Sequence, residues 1–92
     1  MLWEAEVRVG LRPGIADPEG QTVASALRAL GYASVAEVSS GKLLRIRFEA
    51  PDRDSAESTV AEMCRRLLAN PVMEVATWSV AESEPVPSGG RP

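Results

Sequence analysis

The sequence contains no histidine and a single cysteine, Cys64. Without histidine there is no imidazole to serve as a general base near neutral pH or as a zinc ligand. One thiol cannot close an internal disulfide, which makes a reducing compartment the default. Cys64 also falls inside an apolar helical stripe, where a thiol packs as a small hydrophobe rather than reacting as a nucleophile. Lysine is equally scarce. Lys42 is the only one, and Asp and Glu outnumber Lys and Arg by 13 to 10. A net charge of −3 argues against a phosphate-tracking surface, and so against nucleic acid. Two Trp, one Tyr and one Phe are few for a sheet that stacks bases. No apolar run approaches the ~20 residues that span a bilayer. Met1-Leu2-Trp3-Glu4 turns acidic and alternating at once, unlike a secretory leader. The expectation is a soluble, cytoplasmic protein with no membrane partner.

What is present is hydrophobic periodicity. The 92 residues suit one domain, and 45% of them are hydrophobic, which is a globular composition. A domain of this size buries only about 60–65% of its unfolded surface, so pairing with another copy is a common remedy. Trp3, Ala5, Val7, Val9 and Leu11 alternate with Glu4, Glu6, Arg8 and Gly10, the period of a half-buried strand. Arg12-Pro13-Gly14 signals a turn. Asp17 suits a helix N-cap and Pro18 the first helical position. Val23, Ala26, Leu27 and Leu30 then form a helical stripe that ends at Gly31. A short strand is expected over 34–39, with a turn at Ser40-Gly41. The next strand has Leu44, Ile46 and Phe48 on one face and Arg45, Arg47 and Glu49 on the other.

Asp54 with Glu57 has the form of a capping box. It opens a second helix with the stripe Ala56, Val60, Met63, Cys64, Leu67 and Leu68. Asn70-Pro71 stops that helix, and 72–81 reads as a last strand. The order β-α-β-β-α-β predicts an α+β, ferredoxin-like domain over residues 1–82. It has a four-stranded antiparallel sheet with both helices on one face. Residues 83–92, rich in Pro, Ser and Gly, read as a flexible tail.

The candidate sites are surfaces rather than chemistry. The loop from Leu11 to Gly20 has glycines ahead of a helix, but its spacing fits no phosphate-binding fingerprint, and Asp17 and Glu19 would repel an anion. Pro13, Gly14, Asp17, Pro18 and Gly20 are read as a contact loop and helix cap. Asp52, Asp54 and Glu57 sit where acids favour a helix N-terminus, and with Glu62 they lack the tuned environment of an acid–base pair. No residue is expected to be catalytic, to hold a cofactor or to ligate a metal. The last strand is apolar on both alternating sets, with Met73 and Val75 on one and Val72, Ala76, Trp78 and Val80 on the other. Helices would cover only one face of the sheet, so Trp78, Val80, Val72 and Ala76, with Arg45 and Arg47, are the candidate partner interface.

Several stretches in this order resemble the PurS family, the small subunit of phosphoribosylformylglycinamidine synthase. They are Val9-Gly10-Leu11 leading to Asp17-Pro18-Glu19-Gly20, Ala26-Leu27 with Leu30-Gly31-Tyr32, Val35-Ala36-Glu37-Val38 with Gly41-Lys42, and the run from Glu62 to Glu74. The chain departs from the family pattern at Ser39, where arginine is frequent, and at Ala76 and Trp78. The resemblance implies a non-catalytic subunit that dimerises through its sheet, in some relatives pairing further into tetramers. It implies partnership with a glutaminase subunit and an ATP-using synthetase subunit, and support for ammonia transfer between them in purine (IMP) biosynthesis. No cofactor would be bound by this chain; ATP, Mg and glutamine would be used by the complex. Two rival readings share the topology. One is a regulatory module of the ACT type that binds a small ligand at a dimer interface. The other is an acylphosphatase-type enzyme, which would need an arginine-bearing anion loop where this chain is acidic.

Overall fold

The computed structural model describes residues 1–84. Its elements are β1 (Leu2–Leu11), α1 (Pro18–Ala29), β2 (Gly41–Glu49), α2 (Arg53–Met63) and β3 (Glu74–Glu82), and a single π turn (Cys64–Leu68) extends α2. The strands form an antiparallel sheet in the order β2-β1-β3. The fold is therefore α+β with two helices and three strands. Among the described residues the expected fourth strand over 34–39 is not a strand. Two of its carbonyls, those of Val35 and Ala36, accept hydrogen bonds from Arg28 at 2.9 Å each, so a guanidinium takes the place of a ladder. Of the expected tail, all but Ser83 and Glu84 lies outside the described residues.

Register places the inward set of β1 (Trp3, Ala5, Val7, Val9) opposite Phe48, Ile46, Leu44 and Lys42 of β2, and opposite Glu82, Val80, Trp78 and Ala76 of β3. The buried core is Trp3, Ala5, Val7, Val9, Ala50, Ala56, Val60, Cys64 and Val80. α2 closes this face over β1 and β3. Polar contacts at its N-terminal end fix it there. Arg53 lies 5.5 Å over the Trp3 ring and donates to the Val80 carbonyl, while Glu57 accepts from the Trp78 indole at 3.2 Å. The Trp3 indole donates to the Ala50 carbonyl at 3.1 Å.

The cap of α2 is Asp52, which accepts from the Ser55 N–H at 2.8 Å, and not Asp54. Asp52 thus satisfies an orphan N–H two residues before the one the expected box would serve; Glu57 accepts instead from Trp78. At the far end, the Ala69 N–H reaches back five residues to the Cys64 carbonyl. That wider turn splits the expected stripe: Cys64 and Leu68 stay inside, while Leu67 is 82% exposed. No helix among the described residues is long and apolar enough to cross a membrane.

Helix α1 behaves differently. It starts and stops as its sequence implies, with Pro18 in the first turn and Gly31 (φ +106°) just past the end. Yet none of its residues belongs to the core cluster. Its buried residues are Gly20 and Ala24, not Val23, Ala26 or Leu30. The small pair faces the 35–40 strap, and a Cβ on Gly20 would lie 2.3 Å from the Val38 carbonyl oxygen. The two helices therefore do not share one face of the sheet within this chain.

Candidate functional site

Two regions of the candidate site can be built from the residues upward. In the first, β1 ends at Leu11 and the chain turns at Pro13-Gly14, where glycine suits φ +86°. Arg12 anchors the turn: its N–H and its Nε donate to the Met73 and Pro71 carbonyls. Asp17 then ties α1 to the start of β2. Its carboxylate accepts from the Gly20 N–H (2.9 Å), the Ser40 hydroxyl (2.6 Å) and the Ser40 N–H (2.7 Å). These donors, the Ser40 hydroxyl foremost, hold the Asp17 carboxyl below its ordinary 3.8. Asp17, Gly20 and Ser40 thus form one structural knot with Pro18 in the same helix turn, while Pro13 and Gly14 belong to the neighbouring turn that Arg12 anchors.

A cleft of 640 Å³ opens beside the knot, lined by Arg12, Asp17, Gln21, Arg28, Glu37 and Ser40 among others. Four of these side chains, Arg12, Asp17, Arg28 and Ser40, are committed to the fold. Arg28 holds the strap, Arg12 holds the 71–73 turn, and Asp17 already occupies the helix N-terminus. Cys64 lies elsewhere, buried, and burial pushes its thiol above the ordinary 9.0. Among the described residues no three His, Cys, Asp or Glu side chains gather as a metal site. The hydrogen bonds of Arg12, Asp17 and Arg28 position the backbone of three separate segments around the cleft.

The second region is the sheet. The six residues expected to form one partner interface do not share a surface. Ala76, Trp78 and Val80 point inward with the core, Arg45 and Arg47 lie on the opposite face, and Val72 sits exposed in the turn before β3. The register explains this: β3 pairs with β1 so that Trp78 stands opposite Val7. The outer face of β3 is Val75, Thr77, Ser79 and Ala81, two apolar and two polar residues. Outside, Arg45 pairs with Glu6 at 3.3 Å, the cross-strand pairing that the alternating charges imply.

Sequence reasoning missed two features. One is the pinning role of Ser40 and Arg28. The other is the exposed apolar face of α1, where Val23 is 41% and Leu30 76% exposed, with Tyr32 at 60% just beyond. A signal existed for the second: Gly20 and Ala24, two small residues one turn apart, mark the side of α1 that approaches backbone closely.

Comparison with known proteins agrees with this geometry. A family model described as PurS, phosphoribosylformylglycinamidine (FGAM) synthase, matches residues 4–82, which include both regions. The phosphoribosylformylglycinamidine synthase subunit PurS of Archaeoglobus fulgidus is 50% identical over 70 residues, covering 76% of this chain and 88% of that one. The Bacillus subtilis subunit of the same description is 37% identical over 81 residues, with 88% and 95% covered. Among solved structures, Thermus thermophilus PurS aligns with a TM-score of 0.83 at 39% identity, covering 91% of this chain and all of that one. A structure of PurLQS from Thermotoga maritima aligns with a TM-score of 0.81 at 28% identity, covering 88% and 99%. A sheet and helix arrangement shared with these structures, and a match that runs through nearly every described residue, mean that the chain belongs to the PurS family of phosphoribosylformylglycinamidine synthase subunits.

Proposed function

We propose that this chain acts as the assembly subunit of phosphoribosylformylglycinamidine synthase in purine biosynthesis, joining a glutaminase subunit to a synthetase subunit and supporting ammonia transfer between them. The observation that carries the reading is the PurS match over residues 4–82, together with the likeness to a chain of a PurLQS structure. The physical need is clear. Ammonia released at one active site is lost to protonation and diffusion unless the second site is held close, and a protein that grips both enzymes raises the effective concentration of one at the other. The commitment of Arg12, Asp17, Arg28 and Ser40 to the fold, and a buried thiol, suit a part that positions its neighbours. On this reading the chain works as a homodimer or tetramer in the cytoplasm. ATP, Mg and glutamine are handled by the other subunits.

Reconstitution tests the role. Adding this chain to the synthetase and glutaminase should restore glutamine-dependent synthesis while leaving ammonia-dependent synthesis by the synthetase largely unchanged. Full glutamine-dependent activity without this chain would overturn it. Calorimetric titration of amino acids into the chain alone separates the ACT-type alternative, which requires saturable binding.

A further inference from the structure

A second exposed apolar surface lies at the far end of α2, away from the α1 frame. There the chain turns twice in succession, through the π turn at Cys64–Leu68 and the turn at 70–73. Leu67 of the first turn is exposed, as are Val72 (76%) and Met73 (43%) of the second. Ile15 belongs to the same corner, because the turn that it closes with Arg12 is tied to the Pro71 and Met73 carbonyls. Single exposed apolar residues are ordinary on a protein surface. Four from three adjoining turns make a patch.

The backbone beneath the patch is fixed. The Asn70 side-chain oxygen accepts from the Val72 N–H at 2.8 Å, and the Asn70 N–H donates to the Glu74 carboxylate at 2.8 Å. The Asn70 carbonyl accepts from the Met73 and Glu74 N–H groups, and Arg12 donates to the Pro71 and Met73 carbonyls. Pro71 adds its locked φ. A partner that excludes water here strands none of these groups. A turn already stiff also loses little conformational freedom when it is covered. Its hydrogen bonds shape the turn and leave Val72 and Met73 outside.

Charge indicates what kind of surface fits. From Arg65 to Met73 the chain has two arginines and no acid, and Arg12 lies against the same turn, in a protein whose net charge is −3. Arg66 pairs with Glu62 at 3.6 Å, but among the described residues neither Arg12 nor Arg65 forms an ion pair. The helix dipole accounts for cations at the end of α2, not for the apolar side chains among them.

We infer that this corner docks onto an enzyme subunit of the complex, with Leu67, Val72 and Met73 entering an apolar pocket edged by carboxylates that meet Arg12 and Arg65. The inference rests on the assembly role proposed above and names a surface through which it acts.

Titrating the chain into the synthetase and glutaminase tests it. Leu67→Asp and Val72→Asp, both at exposed positions, should each raise the concentration giving half-maximal glutamine-dependent synthesis by at least about tenfold. Helix content and the sedimentation mass of the chain alone should stay as in the parent. Half-maximal concentrations within twofold of the parent for both variants overturn the surface, and so does a fall in the mass of the chain alone, which would mean that a second copy covers it. Arg65→Glu should weaken association most at low salt, with Arg65→Lys close to the parent. Association of Arg65→Glu as tight as the parent's at low salt overturns the acidic rim. If the parent is required for synthesis and the variants match it, only the surface falls. If the enzymes need no parent chain, the assembly role falls and the surface with it.

Discussion

α1 and α2 are 12 and 11 residues long, each is capped by an aspartate at its first turn, and each carries apolar residues at helical spacing. Only α2 is built into the core of its own chain. Ala56, Val60 and Cys64 meet the sheet, and Arg53 and Glu57 bind the two tryptophans from above. α1 is instead held by polar contacts to a strap, with its apolar residues outside. The difference shows that an amphipathic pattern states a demand for cover but not which surface supplies it. One half of this molecule is a conventional hydrophobic core. The other is a hydrogen-bonded frame that displays a greasy helix.

Substitutions should separate the halves sharply. Trp3→Ala removes the largest ring from the core and leaves the Ala50 carbonyl without its indole donor, so it should cost about 3–5 kcal/mol by chemical denaturation. A loss under 1 kcal/mol would mean that the sheet and α2 do not form the stable unit. Gly20→Ala comes next, and its sign is the informative part. In an open helix this change gains about 1 kcal/mol. Here the added methyl meets the Val38 carbonyl oxygen and Asp17, so a loss of about 1–3 kcal/mol is expected. A gain would show that the strap does not press on α1.

Asp17 tests the same frame by pH. Its carboxyl is held below 3.8 in the folded chain. The stabilisation is therefore present above that ordinary value and is lost as pH falls through the lower folded value. Asp17→Ala should flatten the stability profile below about pH 4 relative to the parent, and should loosen α1 in hydrogen exchange while leaving β1 protected. Equal loss of protection in both regions would break the division. The smallest effect belongs to Leu30→Ala, which should change the stability of the isolated chain by no more than about 0.5 kcal/mol under dilute conditions. A larger loss at low concentration would mean that α1 packs within its own chain.

Much of the fold was legible from residue order. Alternation located β1 and β2. Asp17-Pro18 and Gly31 bounded α1, and Asn70-Pro71 closed α2. The charged pairing across the outer face followed from the alternation of Glu6 with Arg45. The segment 34–39 misled because its short apolar residues suit a strand, yet Ser34 belongs to a turn and 35–39 join no ladder. Whether a segment joins a ladder depends on who satisfies its carbonyls, and for Val35 and Ala36 Arg28 does so from a different element. β3 misled for another reason. Its two alternating sets are both partly apolar, so the inward set was fixed only by pairing with β1, a long-range choice that local pattern does not contain. The loop residues Pro13 to Gly20 were located correctly as cap and turn. The contribution of Ser40, 23 positions from Asp17, had no local signature.

The aromatic residues fall on either side of the same divide. Trp3, Trp78 and Phe48 line the sheet, and Tyr32, the only tyrosine, stands past the end of α1. The chain thus carries its own pair of optical labels. Indole emission reports on one half alone, and energy transfer from the phenol to the indoles measures how far the displayed helix stands from the nearest sheet. Titrating denaturant while watching that transfer would reveal, without any added dye, whether the helix leaves the sheet before the core itself opens.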